Sequence, residues 1–429
     1  MIEIVAPESA TKNEITLPGS KYIANRLMIL AALTEGQCQF DNVPVNDDIN
    51  VSMQGLSVLG AKFNRQNGRV ICSGFDKHGP VPSGEVYTSH SGTFSRFVVA
   101  VAALASEWVA IRGSDKMNTR PMADLLDALR EAGVSVEATA EQTLPLKIKG
   151  PLETEVINIS GAVSSQYISA LLLIGARLPE GLVIQLSCEP VSKPFLAMTI
   201  DLIELFGGKV TTDDSYQRFE ILPNQQYQPQ TMNVPADPSS ASYFLAYAAI
   251  MGSHVCLQNY RPDLSLQGEA KFSDVLEKMG CKVWQDEAGF HCQGPDQLTG
   301  VSVDMGDMPD VVQTLVVVAA FANGKTEITN IENLAFKESN RIEDTATELR
   351  KTGLVVTTTR DSMIIEPGEL NGTTFDTYDD HRMAMSLALM SCRIKGIRMR
   401  DHEVVSKSFP TYWDYLDELG FQITESEQE

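Results

Sequence analysis

The chain is short of positive charge. Its 429 residues hold 34 Lys and Arg against 56 Asp and Glu, a formal net charge of −22. A surface this acidic repels nucleic acid and anionic lipid, so neither is expected as a partner. Long hydrophobic runs are also missing. The longest, near Leu171 to Ala176 and Leu315 to Phe321, fall far below the roughly 18 apolar residues of a membrane span. The opening Met1-Ile2-Glu3-Ile4-Val5 lacks the basic region and apolar stretch of a secretory signal. Cysteines occur only singly, as Cys38, Cys72, Cys188, Cys256, Cys281, Cys292 and Cys392, with no C-x-x-C pair. Scattered and odd in number, they fit reduced thiols in the cytoplasm and exclude a disulfide framework or zinc ribbon. The histidines show no metal-ligand spacing, so no metal is expected.

What is present is a globular composition and a repeat. Hydrophobic residues make up 43% and charged residues 21%, enough apolar material for a sizeable core. At roughly 150 residues per domain, the length favours two or three domains. An amphipathic stretch ending in glycine and a short alternating strand occurs six times. The glycines are Gly60, Gly133, Gly207, Gly280, Gly353 and Gly420, spaced by 73, 74, 73, 73 and 67 residues. Glycine after a helix is the usual residue to turn the chain, because it accepts the left-handed conformation.

A second signature runs in phase with the first. Small or polar clusters open strongly apolar helices at Gly19-Ser-Lys21, Ser91-Gly-Thr93, Ser164-Ser-Gln166, Ser239-Ser-Ala-Ser242, Pro309-Asp310 and Asp379-Asp-His-Arg382. Helices such as Ile168 to Ile174 and Tyr243 to Ile250 are apolar nearly all round and read as buried. Each unit of about 73 residues therefore carries two helices plus strands, too long for an ordinary solenoid repeat. Six units suggest two lobes of three. The Gln- and Pro-rich stretch from Gln225 to Pro238 reads as the linker between repeats three and four.

The helix openings carry the unusual residues. Their hydroxyls and glycines leave backbone N–H groups at the positive dipole end, where anions bind. Taken singly, each is equally an ordinary N-cap. Capping does not explain the bases beside them: Lys21, Arg26, Arg96, Arg120, Lys193, Lys337, Arg341, Arg382 and Lys407. In so acidic a protein, bases at equivalent repeat positions point to a cleft for phosphate or carboxylate substrates. Neither a P-loop nor a G-x-G-x-x-G fingerprint is present, so a nucleotide fold is not indicated. Glu338 lies one helical turn from Arg341 and reads equally as half of a surface ion pair. Asp310 reads equally as an N-cap or first-turn acid.

Taken in order, the motifs resemble the 5-enolpyruvylshikimate-3-phosphate synthases. They are Leu17-Pro-Gly-Ser-Lys21 with Asn25-Arg26, Ser91-Gly-Thr93, Thr119-Arg120-Pro121, Val163-Ser-Ser-Gln166, Val191-Ser-Lys-Pro194, Ser239-Ser-Ala-Ser-Tyr-Phe244, Pro309-Asp310, Lys337-Glu338 with Arg341, Asp380-His-Arg-Met-Ala-Met385 and Ser406-Lys407. They run from end to end of the chain. The resemblance implies the two-lobed α/β fold of enolpyruvyl transferases, an inside-out α/β barrel with three repeats per lobe and buried parallel helices. It implies an N-terminal lobe over 20–236 and a C-terminal lobe over 1–19 and 237–429, with the active site in the cleft between them. The implied reaction moves the enolpyruvyl group of phosphoenolpyruvate to the 5-hydroxyl of shikimate 3-phosphate and releases phosphate, a step toward chorismate and the aromatic amino acids. No cofactor or metal is implied, and a cytoplasmic monomer is expected.

The resemblance also implies roles by position. Phosphoenolpyruvate would meet Lys21, Gly92, Arg120, Gln166, Arg341, Arg382 and Lys407. The acceptor would meet Lys21, Tyr22, Arg26, Ser164, Ser165, Gln166, Ser192, Asp310, Asn333 and Lys337. Glu338 would donate the proton, Asp310 would act as base, and Lys21 would assist. Four positions depart from the family pattern. Tyr22 stands where the family usually has Ser, His90 where it has Asn, Phe195 where it has Tyr, and Leu334-Ala335 where Trp-Arg is frequent. Tyr22 and Phe195 fall on the acceptor side. The alternatives are therefore a sister enolpyruvyl transferase with a different anionic cyclic alcohol, or a non-catalytic homologue that binds such ligands. The transferase of peptidoglycan synthesis is disfavoured, because Arg112 to Arg120 lacks that enzyme's reactive Cys.

Overall fold

Residues 1–8, 13–66 and 68–425 are described by a computed structural model. The chain divides into two compact units, Gly19–Val234 and Met1–Pro18 with Pro235–Glu429. Among the described residues, no helix is long and apolar enough to cross a membrane.

In the Gly19–Val234 unit the helices are α1 (Lys21–Leu33), α2 (Asp47–Val58), α3 (Gly92–Ala102), α4 (Ala123–Glu131), α5 (Ser165–Gly175) and α6 (Lys193–Leu205). The apolar residues of α1, α3 and α5 leave no polar face to turn to water, and these three helices pack on one another in the core. Ser20, Ser91 and Ser164 cap them, accepting from the N–H groups of Ile23, Phe94 and Gln166. Gln166 Nε2 donates to Thr93 Oγ1 at 3.1 Å, so the N-terminal ends of α3 and α5 lie together.

Three four-stranded sheets flank these helices with one topology. A short strand pairs parallel with a central strand, which pairs antiparallel with the second strand of a hairpin. Strands 156–159, 182–186, 218–221 and 210–212 form one sheet, and 86–87, 109–112, 146–149 and 135–137 form another. The third joins 37–41, 69–73 and 62–66 to the distant strand Thr231–Asn233. The expected linker is therefore partly structural. Its Met232 stands in register with Phe40, and the buried Tyr227 donates to the Leu173 carbonyl at 2.8 Å. A Gln- and Pro-rich composition does not reveal a strand whose partner lies some 190 residues earlier.

The second unit carries α7 (Pro238–Met251), α8 (Phe272–Lys278), α9 (Val312–Ala319), α10 (Arg341–Arg350), α11 (His381–Ala388) and α12 (Tyr412–Glu418). Here α7, α9 and α11 are the buried helices. Ser242, Thr314 and Ser386 join them across the core, with Oγ···Oγ distances of 3.2 and 3.3 Å. Successive members of that chain are 72 residues apart, so the sequence period reappears as a spatial period. The same sheet topology recurs three times, but the N-terminal segment supplies two strands. Glu14–Ile15 pairs with His254–Leu257, and Ile2–Val5 lies between Ile397–Met399 and Gln422–Glu425. Helices inside and sheets outside is the arrangement that the family resemblance implies.

All six repeat glycines adopt positive φ, from 84° at Gly207 to 110° at Gly60. At Gly60 the amide donates to Ser57 O, and the next amide, of Ala61, reaches back to Leu56 O, both at 3.1 Å. This is the Schellman arrangement, which satisfies the last carbonyls of a helix before the strand begins. Ala61 also sits beside Leu56 in the core, so the turn and the packing reinforce each other.

Candidate active site

In the second unit the site is built around Arg341, the first residue of α10, whose side chain is 2% exposed. Its Nε donates to Asp380 Oδ2 at 2.7 Å, Nη1 to Asp310 Oδ1 at 2.7 Å, and Nη2 to Glu338 Oε2 at 2.9 Å and Asp380 Oδ1 at 3.1 Å. Burial disfavours the guanidinium charge, but Asp380, Glu338 and Asp310 outweigh it and push the pKa above its ordinary value. A planar fork with five donors makes four bonds to the three carboxylates at once. The Glu338–Arg341 pair is therefore not the surface contact that helical spacing allowed. Glu338 precedes α10, which Asn340 caps, and is largely buried.

Each carboxylate has a second hold. Lys407, at the end of the 402–407 turn, pairs with Glu338 Oε1. Asp310 sits in the Pro309–Val311 turn that precedes α9. It faces Arg341, with Arg382 Nε at 3.6 Å and Lys337 Nζ at 3.9 Å. Asp380 caps α11 through the Arg382 amide at 2.9 Å while gripping Arg341. Arg382 Nη1 also donates to the Tyr243 hydroxyl at 3.2 Å, and burial pushes that phenol up to about 12. Asn333 lies in the Glu332–Phe336 turn leading to Lys337. One unit thus gathers Asp310, Lys337, Glu338, Arg341, Arg382 and Lys407 into a single charged network.

In the Gly19–Val234 unit the helix openings hold a second set. Lys21 Nζ donates to Asp48 Oδ2 at 3.2 Å, and both side chains are under a tenth exposed. Gly92 opens α3 with the guanidiniums of Arg96 and Arg120 packed so closely that a Cβ would make them shift. Arg96 Nη1 donates to Gly92 O at 2.8 Å, fixing that approach. Ser164, Ser165 and Gln166 form the α5 opening. Ser192 precedes α6 with φ 55°, a left-handed conformation that a non-glycine residue holds only when its surroundings enforce it.

Arg26 is the most telling residue of this set. It is 2% exposed, yet its hydrogen bonds go to neutral groups: Thr199 Oγ1 at 2.7 Å, Tyr22 O at 3.0 Å, Phe195 O at 3.3 Å and Ser169 Oγ at 3.4 Å. Its guanidinium lies 5.4 Å from the Phe97 ring centroid and 5.8 Å from that of Phe195. Desolvation lowers its pKa to about 9. Buried charges ordinarily carry a counter-ion, and a carboxylate would supply one. Two of the unusual positions meet beside it, for the Tyr22 and Phe195 rings are 5.0 Å apart. A third, His90, is bonded through Nδ1 to Ser114 Oγ at 2.9 Å.

The sequence model of the family described as EPSP synthase (3-phosphoshikimate 1-carboxyvinyltransferase) matches residues 5–416. The chain belongs to the EPSP synthase family. It is 37% identical over 422 residues to the 3-phosphoshikimate 1-carboxyvinyltransferase of Shewanella pealeana, covering 96% of this chain and 98% of that one. The enzyme of the same name from Klebsiella pneumoniae is 36% identical over 421 residues, with 96% and 98% covered. Among solved structures, EPSP synthase from Acinetobacter baumannii superposes with a TM-score of 0.82 at 25% identity, covering 99% of each chain. The two-lobed enolpyruvyl transferase fold is thus the fold of this chain. Within the EPSP synthase frame, Asp48 and Asp380 are partners that motif reading left without a role. Their signal was weak, since an acid near a helix start looks like a cap.

Proposed function

We propose that the chain transfers the enolpyruvyl group of phosphoenolpyruvate to the 5-hydroxyl of shikimate 3-phosphate and releases phosphate. Family membership supports the reaction, and the observation that carries the chemistry is the Arg341 network of Asp310, Glu338 and Asp380 with Lys407 and Arg382. An anion that binds here must compete with carboxylates already in place. The substrate phosphate and carboxylate would take over Arg341, Arg382 and Lys407, releasing Glu338 and Asp310 for proton chemistry.

The reaction needs four events. A proton goes to the methylene carbon of phosphoenolpyruvate, and the acceptor oxygen attacks C2 while losing its proton. The resulting phospho-ketal then expels phosphate and loses a methyl proton, restoring the double bond. We assign the first proton to Glu338 and the hydroxyl proton to Asp310, with Lys21 assisting. Lys407 and Arg341 grip Glu338 before substrate binds and favour its ionised form. An anionic substrate that draws these cations to itself removes that bias, so the proton donor is readied by binding. Lys21, Gly92, Arg120 and Gln166 complete the phosphoenolpyruvate set. Tyr22, Arg26, Ser164, Ser165, Ser192, Asn333 and Lys337 complete the acceptor set. Preorganised Arg and Lys groups stabilise the developing charge. The buried Arg26, bonded only to neutral groups, supports a carboxylate-bearing acceptor. A cytoplasmic location and a monomeric state belong to the same proposal.

The test is phosphate release from phosphoenolpyruvate by the purified chain, with and without shikimate 3-phosphate, and mass spectrometry of the product. Acceptor-dependent release with the enolpyruvyl ether as product supports the assignment. Release only with some other anionic cyclic alcohol transfers the proposal to a sister reaction. No release with any acceptor leaves a binding homologue.

A further inference from the structure

Glu269 is a buried acid that the reaction does not use. It lies in the Gly268–Lys271 turn before α8 and is 0% exposed. Neither carboxyl oxygen accepts a hydrogen bond from another side chain. This turn packs against the Pro309–Val311 turn that carries Asp310, against α7, against α8 and against the Pro262–Leu264 turn. Gln267, two residues earlier, donates to Asp237 Oδ1 at 3.4 Å, tying the segment to the start of α7. The charged and titratable groups around Glu269 are Asp310, Arg382 and Asp237, then Tyr260, Asp274 of α8 and, at the surface, the Arg261–Asp263 pair. An ionised carboxylate without a partner is among the least favourable groups to bury, and two further carboxylates stand close by.

We propose that Glu269 is a positioning residue of the substrate site: its carboxyl stays neutral behind Asp310, so that Arg382 and Arg341 keep their positive field for the anionic substrate. Burial, with Asp310 as the next cause, pushes its pKa up to about 8. The acid is therefore neutral below that pH and ionised above it. Ionisation places one more negative charge beside Arg382, which already answers to Asp310. The phosphate of phosphoenolpyruvate completes its own ionisation at lower pH, so the ligand's charge is constant across this window. The role rests on the reaction proposed above, but its central readout does not need turnover.

The experiment compares the native chain with Glu269→Gln and Glu269→Asp between pH 7 and pH 9. Phosphoenolpyruvate binding is followed by calorimetry, and kcat and KM are measured separately with shikimate 3-phosphate. In the native chain, affinity for phosphoenolpyruvate should fall about ten-fold across the window. In E269Q, which cannot ionise, it should change less than about three-fold, with pH 7 affinity near the native value. E269D should retain the pH dependence. An E269Q curve that parallels the native one overturns the proposal, as does an equal loss at every pH. A flat native curve overturns it even where E269Q does not fold. Absence of native turnover counts against the reaction while the binding curves still decide the role of Glu269. A native chain that neither binds phosphoenolpyruvate nor turns it over overturns both; where it turns over without measurable binding alone, the same pH contrast is read from the KM of phosphoenolpyruvate.

Discussion

Replacing Arg26 by Leu should ruin the acceptor site while costing the Gly19–Val234 unit little stability. The guanidinium is fully buried, and desolvation brings its pKa from the ordinary arginine range down to about 9. That displacement corresponds to a bias of about 5 kcal/mol against the cation at neutral pH. The sign follows from the direction. Below pH 9 the folded chain carries the charge at full desolvation cost, and the cost is relieved only as pH rises through 9. Against this stand four bonds from a charged donor, to Thr199, Ser169 and the Tyr22 and Phe195 carbonyls, worth about 1.5–3 kcal/mol each, and the contacts with the Phe97 and Phe195 rings. Thr199 Oγ1 keeps its bond to Phe195 O at 2.7 Å without Arg26, so little is orphaned. The two sides are of similar size, so stability should stay within about 3 kcal/mol of native, or roughly 10 °C in the melting temperature of a unit this size. Scanning calorimetry of full-length R26L and native chains measures it. The acceptor should lose a charge-assisted fork, raising its KM by about 30-fold or more while the KM of phosphoenolpyruvate stays within a few-fold. In the native chain, acceptor KM should rise as pH passes about 9 and Arg26 loses its proton. An R26L chain that no longer folds, or whose acceptor KM barely moves, refutes the reasoning.

Glu338→Gln should lower kcat by about 10²- to 10⁴-fold with little change in either KM, because it removes a proton and not a shape; steady-state kinetics at one pH decides. Arg341→Lys keeps the charge but meets at most part of the four-bond fork to Asp310, Glu338 and Asp380. It should cost about 3–5 kcal/mol in kcat/KM for phosphoenolpyruvate, a loss of roughly 150- to 5,000-fold, and near-native kinetics would argue against the network. Tyr22→Phe tests whether the phenol beside Phe195 serves the acceptor: acceptor KM should rise about ten-fold, with thermal stability unchanged. Gly133→Ala isolates the repeat turn, since a Cβ there meets nothing within 4 Å while φ is 88°. The expected loss is about 1 kcal/mol from backbone strain alone, read from the unit's melting temperature with activity intact.

The repeat was legible because its determinants are local. A glycine that must turn left-handed after a helix announces itself in a few residues, and the six spaced glycines all adopt positive φ. The buried helices were legible for a similar reason, since a segment apolar all round has no face for water, and every residue of α1 is buried. The basic helix openings also pointed to anions before any contact was known. The contacts themselves were not legible. Asp380 lies 39 residues from Arg341 in sequence and Asp310 lies 31; each looked like a helix cap. Asp48 has no mark in the sequence beyond its place in the first turn of α2, and its partner Lys21 lies 27 residues away. Glu269 carried no local mark at all, for its meaning lies in what surrounds it.

The exchange of strands shows the same division. Nothing local tells Ile2–Val5 to complete the sheet of the last repeat, or Thr231–Asn233 that of the first. The sequence by itself determined the repeat, the caps, the buried helices and the gathering of bases at their N-terminal ends. Those follow from backbone geometry and from side-chain solubility, which act over a few residues. Tertiary structure alone decided which carboxylates hold Arg341, which cation lies buried without a counter-ion, and which acid stays neutral. These depend on distance and desolvation among residues the chain keeps far apart until it folds.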